Sequence, residues 1–166
     1  MPVDAPSLAR AVEDRIRASD SFSGVAGLRL GGIEATRLAR GWASRQYRRR
    51  NTPATSFGVA SVSKLFTSLA VGRLVAAGRL SLGDTVLPLV RERLPALDSR
   101  IEVGHLLSHT SGMGDYFHEE IDGAEYSDLW RDRPSYRFEE PADFVPLFRD
   151  DPQRFAPGER FLYNNA

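Results

Sequence analysis

The chain has 166 residues, 42% of them hydrophobic, enough to bury a core and form one globular domain. Twenty-two basic residues balance 22 acidic ones at a pI near 6.8, which gives no footing for nucleic-acid binding or a polybasic membrane contact. Without cysteine there can be no disulfide, no thiolate metal site and no cysteine nucleophile.

At the amino terminus, Met1-Pro2-Val3-Asp4-Ala5-Pro6 leads into charged sequence with no apolar leader, and no run of 18 apolar residues follows anywhere. The expectation is a cytoplasmic protein with neither an export signal nor a membrane partner. Leu8, Val12 and Ile16 recur at helical spacing, predicting an amphipathic helix over 7–18. Residues 25–30 and 33–40 read as two strands joined at Gly31-Gly32, a good hairpin turn. Arg48-Arg49-Arg50 precedes Asn51-Thr52-Pro53 and reads as a solvated loop.

Residues 61–77 then form a mostly apolar segment that Gly78 ends, predicting a helix buried on most sides. Its first turn holds Ser61 and Lys64, three apart and so on one face. Lys64 is the single lysine among the 22 basic residues. A serine hydroxyl needs a base within hydrogen-bond reach, and a lysine can serve once it loses its proton, which an arginine cannot do. The shift required, from about 10.4 toward neutrality, is within the 3–5 units that burial can supply. Farther along, Tyr163 could relay a proton and Asn165 could orient the site.

Residues 80–93 and 103–109 read as further helices, and 115–140 as a long irregular excursion rich in aromatic and charged residues. Pro146 shortens or kinks any helix over 144–148, and Pro157-Gly158 signals a type II turn. The lipase elbow Gly-x-Ser-x-Gly is absent at Ser61 and at Ser111. His105 and His109 have the spacing of a metal pair but lack the glutamate of His-Glu-x-x-His and a third ligand, so a structural role is expected and no metal. Glu119-Glu120 and Glu139-Glu140 read as solvated faces.

Three ordered stretches resemble the serine β-lactamase and penicillin-binding-protein-like hydrolases, in the branch of class C β-lactamases, D-aminopeptidases and family VIII esterases. Phe57-Gly58-Val59-Ala60-Ser61-Val62-Ser63-Lys64-Leu65-Phe66-Thr67 is similar to the nucleophile segment. His105-Leu106-Leu107-Ser108-His109-Thr110-Ser111-Gly112 is similar to a structural motif of the branch. Pro157-Gly158-Glu159-Arg160-Phe161, followed by Tyr163-Asn164-Asn165, is similar to its Tyr-x-Asn loop.

The resemblance implies a mixed α/β fold of the β-lactamase/transpeptidase type, with a helical lobe beside an antiparallel sheet. It implies Ser61 as the acylated nucleophile and Lys64 with Tyr163 as the proton-handling pair. Asn165 is implied as a partner of Lys64 and substrate, and the Ser61 backbone N–H as one oxyanion donor. The implied substrate is a small ester, amide, peptide or β-lactam, with no cofactor. The family's third motif, Lys/His-Ser/Thr-Gly, comes well after Tyr-x-Asn, whereas the sequence stops at Ala166. The expectation is therefore a single incomplete hydrolase domain over 1–166, lacking its C-terminal strands and inactive alone. The alternative is a truncated relative that binds a ligand without turnover.

Overall fold

The computed structural model describes residues 4–121, 123 and 125–166, so the expected leaderless start at Met1–Val3 lies outside the described residues. The chain forms two compact units, divided between Ala60 and Ser61. Its architecture is mixed α/β, with antiparallel strands in the first unit and helices dominating the second. Among the described residues, no helix is long and apolar enough to cross a membrane.

The first unit opens with helix α1, Ala5–Ala18. Asp4 caps it by accepting the Ser7 N–H at 2.7 Å, and Pro6 sits in the first turn, where a missing N–H costs nothing. Strands β1 (Gly24–Leu30) and β2 (Ile33–Arg40) pair antiparallel from Gly24↔Arg40 to Leu30↔Ile33. Gly31 and Gly32 turn the hairpin at φ 56° and 82°, a pair of left-handed conformations that glycine adopts without penalty. The Arg40 guanidinium donates to the Ile16 carbonyl at 3.1 Å, tying the hairpin to α1. The arginine run is not simply a loop. Arg49–Arg50 form strand β4 against β3 (Trp42–Ser44), and the Arg50 guanidinium lies 3.7 Å over the Trp42 ring. That cation–π contact gives the run a partner that charge density alone does not reveal.

A 3-10 turn at Ala60–Val62 spans the division, and helix α2, Ser63–Ala76, follows in the second unit. Gly78 ends it at φ 67°, as the sequence predicts. Burial of α2 does not follow the expectation. Val71 packs on the core, but Leu65, Phe66 and Leu69 are 57%, 64% and 57% exposed. A helix that is apolar all round offers no single stripe to a neighbour, and here one core covers one side of it.

That core is Val86, Ile101 and Val103, with Leu80, Val90, Leu97, Leu107 and Met113 packed around it. The helix expected over 80–93 is confined to α3, Leu87–Val90. Upstream of it, Ser81–Asp84 form a turn in which Asp84 accepts the Ser81 N–H at 2.8 Å. Residues 82–86 then pair with 101–104, through Val86 N–H to the Ile101 carbonyl at 2.8 Å and Val103 N–H to the Asp84 carbonyl at 3.0 Å. Long-range backbone pairing has taken the hydrogen bonds that a helix would use. Helix α4, Val103–Leu107, follows with a reciprocal cap between Glu102 and His105. Helix α5, Pro141–Phe148, holds Pro146 inside it and stays short.

Between Asp115 and Glu140 the described residues are irregular, with 3-10 turns at Tyr126–Trp130 and Ser135–Arg137; Asp122 and Ala124 lie outside them. Phe117, Tyr126, Trp130, Phe138 and Phe144 pack ring to ring, with centroids 4.9–6.4 Å apart. The excursion is therefore held by an aromatic cluster that it completes with Phe144 of α5.

Candidate active site

Helix α2 and the Tyr163–Asn165 segment supply the candidate residues. Ser61 lies in the 3-10 turn that precedes α2, and the Tyr163 hydroxyl donates to its Oγ at 2.6 Å. Ala60, immediately before it, takes φ 43°, a left-handed conformation that is strained for a residue with a Cβ. Lys64 is half-buried rather than sequestered from solvent, and its Nζ lies 5.1 Å from the centre of the Tyr163 ring. Tyr163 thus lies against two of the other three members of the expected group, Ser61 and Lys64.

The segment that carries Tyr163 is neither helix nor strand, so its order depends on what it binds. Residues 109–115 provide that support. The Leu162 N–H donates to the His109 carbonyl at 2.9 Å and the Asn164 N–H to His109 Nδ1 at 3.2 Å. Acceptance at Nδ1 places the imidazole proton on Nε2. The His109 ring stacks on Tyr163 at 4.6 Å and 31°. Its backbone takes φ 55°, which ends α4 and aims the ring at the loop. Burial, reinforced by the Lys64 charge and opposed by the Asp115 carboxylate, holds the His109 imidazole below its ordinary 6.5. His105 works differently: its Nδ1 accepts the Glu102 N–H at 3.1 Å in the α4 cap. Among the described residues, no group of three or more His, Asp or Glu side chains is placed to hold a metal ion.

Glycine is needed where 112–114 meets 151–155. A Cβ at Gly112 would lie 2.8 Å from the Phe155 ring, and one at Gly114 would lie 2.6 Å from the Asp151 carbonyl oxygen. The Pro157-Gly158 turn closes as predicted, with Gly158 at φ 82° and the Glu159 N–H on the Ala156 carbonyl at 3.0 Å. The Gly158 N–H then reaches the Thr110 carbonyl at 2.8 Å. The Arg154 guanidinium donates to His118 Nδ1 and to Glu120, each at 2.6 Å, while His118 Nε2 lies 3.4 Å from Asp151. Glu119 and Glu120 are exposed as expected, yet both belong to the contacts that fasten residues 115–120.

Asn165 stands apart from the expected group. Its Nδ2 donates to Asp115 Oδ2, the Phe117 carbonyl and Glu119 Oε1 at 3.3, 3.2 and 3.3 Å. Among the described residues it makes no hydrogen bond to Lys64. The two residues nevertheless line one cavity of about 450 Å³, together with Val90, Leu97 and Phe148. Asp115 is the residue that sequence reasoning missed. It is only 7% exposed and accepts N–H groups from Tyr116, Asn165 and Ala166 at 2.7, 2.7 and 3.1 Å. A lone carboxylate after Gly112-Met113-Gly114 has no spacing that marks it, apart from following the His-Thr-Ser-Gly stretch directly.

The beta-lactamase family model matches residues 8–166. Esterase EstB of Burkholderia gladioli is 37% identical over 135 residues, which cover 78% of this chain and 34% of EstB. Among solved structures, a penicillin-binding protein from Bacillus halodurans superposes with a TM-score of 0.78 at 39% identity, over 95% of this chain and 45% of that one. The D-amino acid amidase of Ochrobactrum anthropi SV3, solved with L-phenylalanine amide, is 21% identical and shares the fold with a TM-score of 0.64. The chain thus spans about a third of the curated relative and under half of that penicillin-binding protein.

Proposed function

The chain belongs to the beta-lactamase family, and from that premise we propose that it carries the nucleophile and proton-handling residues of a serine hydrolase. Ser61 Oγ attacks the carbonyl carbon of an ester, amide or β-lactam. Its proton passes to the Tyr163–Lys64 pair, and the carbon–oxygen or carbon–nitrogen bond of the resulting tetrahedral intermediate breaks. The leaving alcohol or amine takes up that proton, and water later releases the acyl group from Ser61. The Ser61 backbone N–H serves as one oxyanion donor.

The observation that carries this reading is the 2.6 Å hydrogen bond between Tyr163 and Ser61. A hydroxyl pair at that distance is within reach for proton transfer once the hydrogen bond reverses and Ser61 donates. Further support comes from the names of the relatives, an esterase and an amidase, which cleave the two bond types in question. The cavity that Lys64 and Asn165 line, with Val86, Val90, Leu94, Leu97 and Phe148 among its other walls, suits a substrate with an apolar acyl part. In the test, a fluorophosphonate probe should label the complete protein covalently, and Ser61→Ala should abolish the label. Labelling that persists in the variant refutes Ser61 as nucleophile.

A further inference from the structure

Asp115 takes no part in the chemistry above, yet it is the most heavily bonded buried carboxylate of the second unit. Besides the N–H groups of Tyr116, Asn165 and Ala166, it accepts the Phe117 N–H at 3.4 Å and the Asn165 side-chain amide at 3.3 Å. Its own N–H donates to Asp151 Oδ2 at 3.0 Å. One acidic side chain therefore gathers both the backbone and the side chain of Asn165.

This arrangement fixes the polarity of the Asn165 amide. Asp115 Oδ2, the Phe117 carbonyl and Glu119 Oε1 are all acceptors, so only the NH2 end of the amide can face them. The carbonyl end is left free of these three partners, and Asn165 lines the same cavity as Lys64. We propose that Asp115 is a positioning residue: its carboxylate sets the Asn165 amide so that the carbonyl oxygen is presented toward Lys64 and the substrate. In that orientation Asn165 offers Lys64 an acceptor and cannot donate to it; a shift of the Lys64 side chain would close the hydrogen bond that does not join the two in this structure. The proposal rests on the serine-hydrolase reading for its consequence, but its geometric half stands independently.

The test compares fluorophosphonate labelling rates of the wild type, Asp115→Asn, Asn165→Ala and the double variant. Removing a charged acceptor should slow labelling by about tenfold to a hundredfold. Because Asp115 acts through Asn165, the double variant should be no slower than Asn165→Ala alone. Multiplicative losses would reduce Asp115 to a general structural role and overturn the proposal. A second readout needs no activity. The wild-type Asn165 N–H, 2.7 Å from the carboxylate, should resonate downfield and exchange slowly with solvent. Fast exchange there, or an unmoved resonance in Asp115→Asn, overturns the proposal even when labelling succeeds. Absence of Ser61 labelling combined with a protected Asn165 N–H would instead sink the hydrolase reading and leave the positioning geometry intact.

Discussion

The Tyr163 hydroxyl reaches Ser61 Oγ at 2.6 Å although 102 positions separate the two residues. Such closeness between a nucleophile and a phenol is costly to maintain by chance on a segment without regular structure, and His109 maintains it by holding Leu162 and Asn164 on either side. Tyr163→Phe keeps the ring on His109 and removes only the hydroxyl. The labelling rate should fall about 10²- to 10⁴-fold, the range expected of a lost proton-transfer group, with little change in melting temperature. A rate within threefold of wild type would remove Tyr163 from the mechanism.

Lys64 offers a sharper chemical contrast. Lys64→Arg retains the charge and a long side chain beside the Tyr163 ring, but the guanidinium does not give up its proton. Labelling in this variant should be as slow as in Lys64→Met. If Lys64→Arg labels normally, positive charge alone is what the site requires.

Acidification should loosen the loop through His109. Its folded value lies below the ordinary 6.5, so the unfolded chain takes up the proton first as the pH falls. Stability from the neutral ring is complete above about pH 7 and declines through 6.5 toward the lowered value. Asp98 and Glu120, both held below their ordinary values of 3.8 and 4.5, add their own losses only in more acidic solution. Thermal melts between pH 7.5 and 5 should show this decline, and His109→Asn, which tolerates the left-handed backbone and keeps an acceptor, should flatten it. An equal decline in both proteins would assign the effect elsewhere.

Gly114→Ala tests the approach of residues 112–114 to 151–155. The new methyl would meet Asp151 backbone and Cβ atoms at 2.6 Å, and neither can swing aside. Overpacking of this kind costs about 1–3 kcal/mol, or about 2–12 °C in Tm for a chain of this size. Gly83→Ala has only the Ser81 hydroxyl within reach, at 3.9 Å, and should melt like the wild type.

How far the sequence led can be read from single residues. Gly31-Gly32 announced its hairpin because only a few residue pairs accept two left-handed conformations in succession. Ser61, Lys64 and Tyr163 were legible because their chemistry is rare and their spacing is short or matches a motif. The pairing of Val86 with Ile101 was hidden, since Leu82-Gly83-Asp84-Thr85-Val86 and Ile101-Glu102-Val103-Gly104 are too short and mixed to mark strands until each partner is known. Asn165 was visible as a residue, but its direction was not. That direction depends on Asp115, fifty positions away, and no local pattern marks the link.

The aromatic excursion has a consequence for how the protein could diversify. Phe117, Tyr126, Trp130, Phe138 and Phe144 satisfy one another, so the segment's interior does not draw on Val86, Ile101 and Val103. Among the described residues its anchors are few, Phe144 on α5 and the contacts of Arg154 and Asn165 with residues 117–120, so the stretch between them can be lengthened or reshaped while those anchors stay. Grafting an excursion from another member of the family, with Phe144 and the contacts of residues 115–120 preserved, is thus a way to reshape this segment without rebuilding what holds it in place.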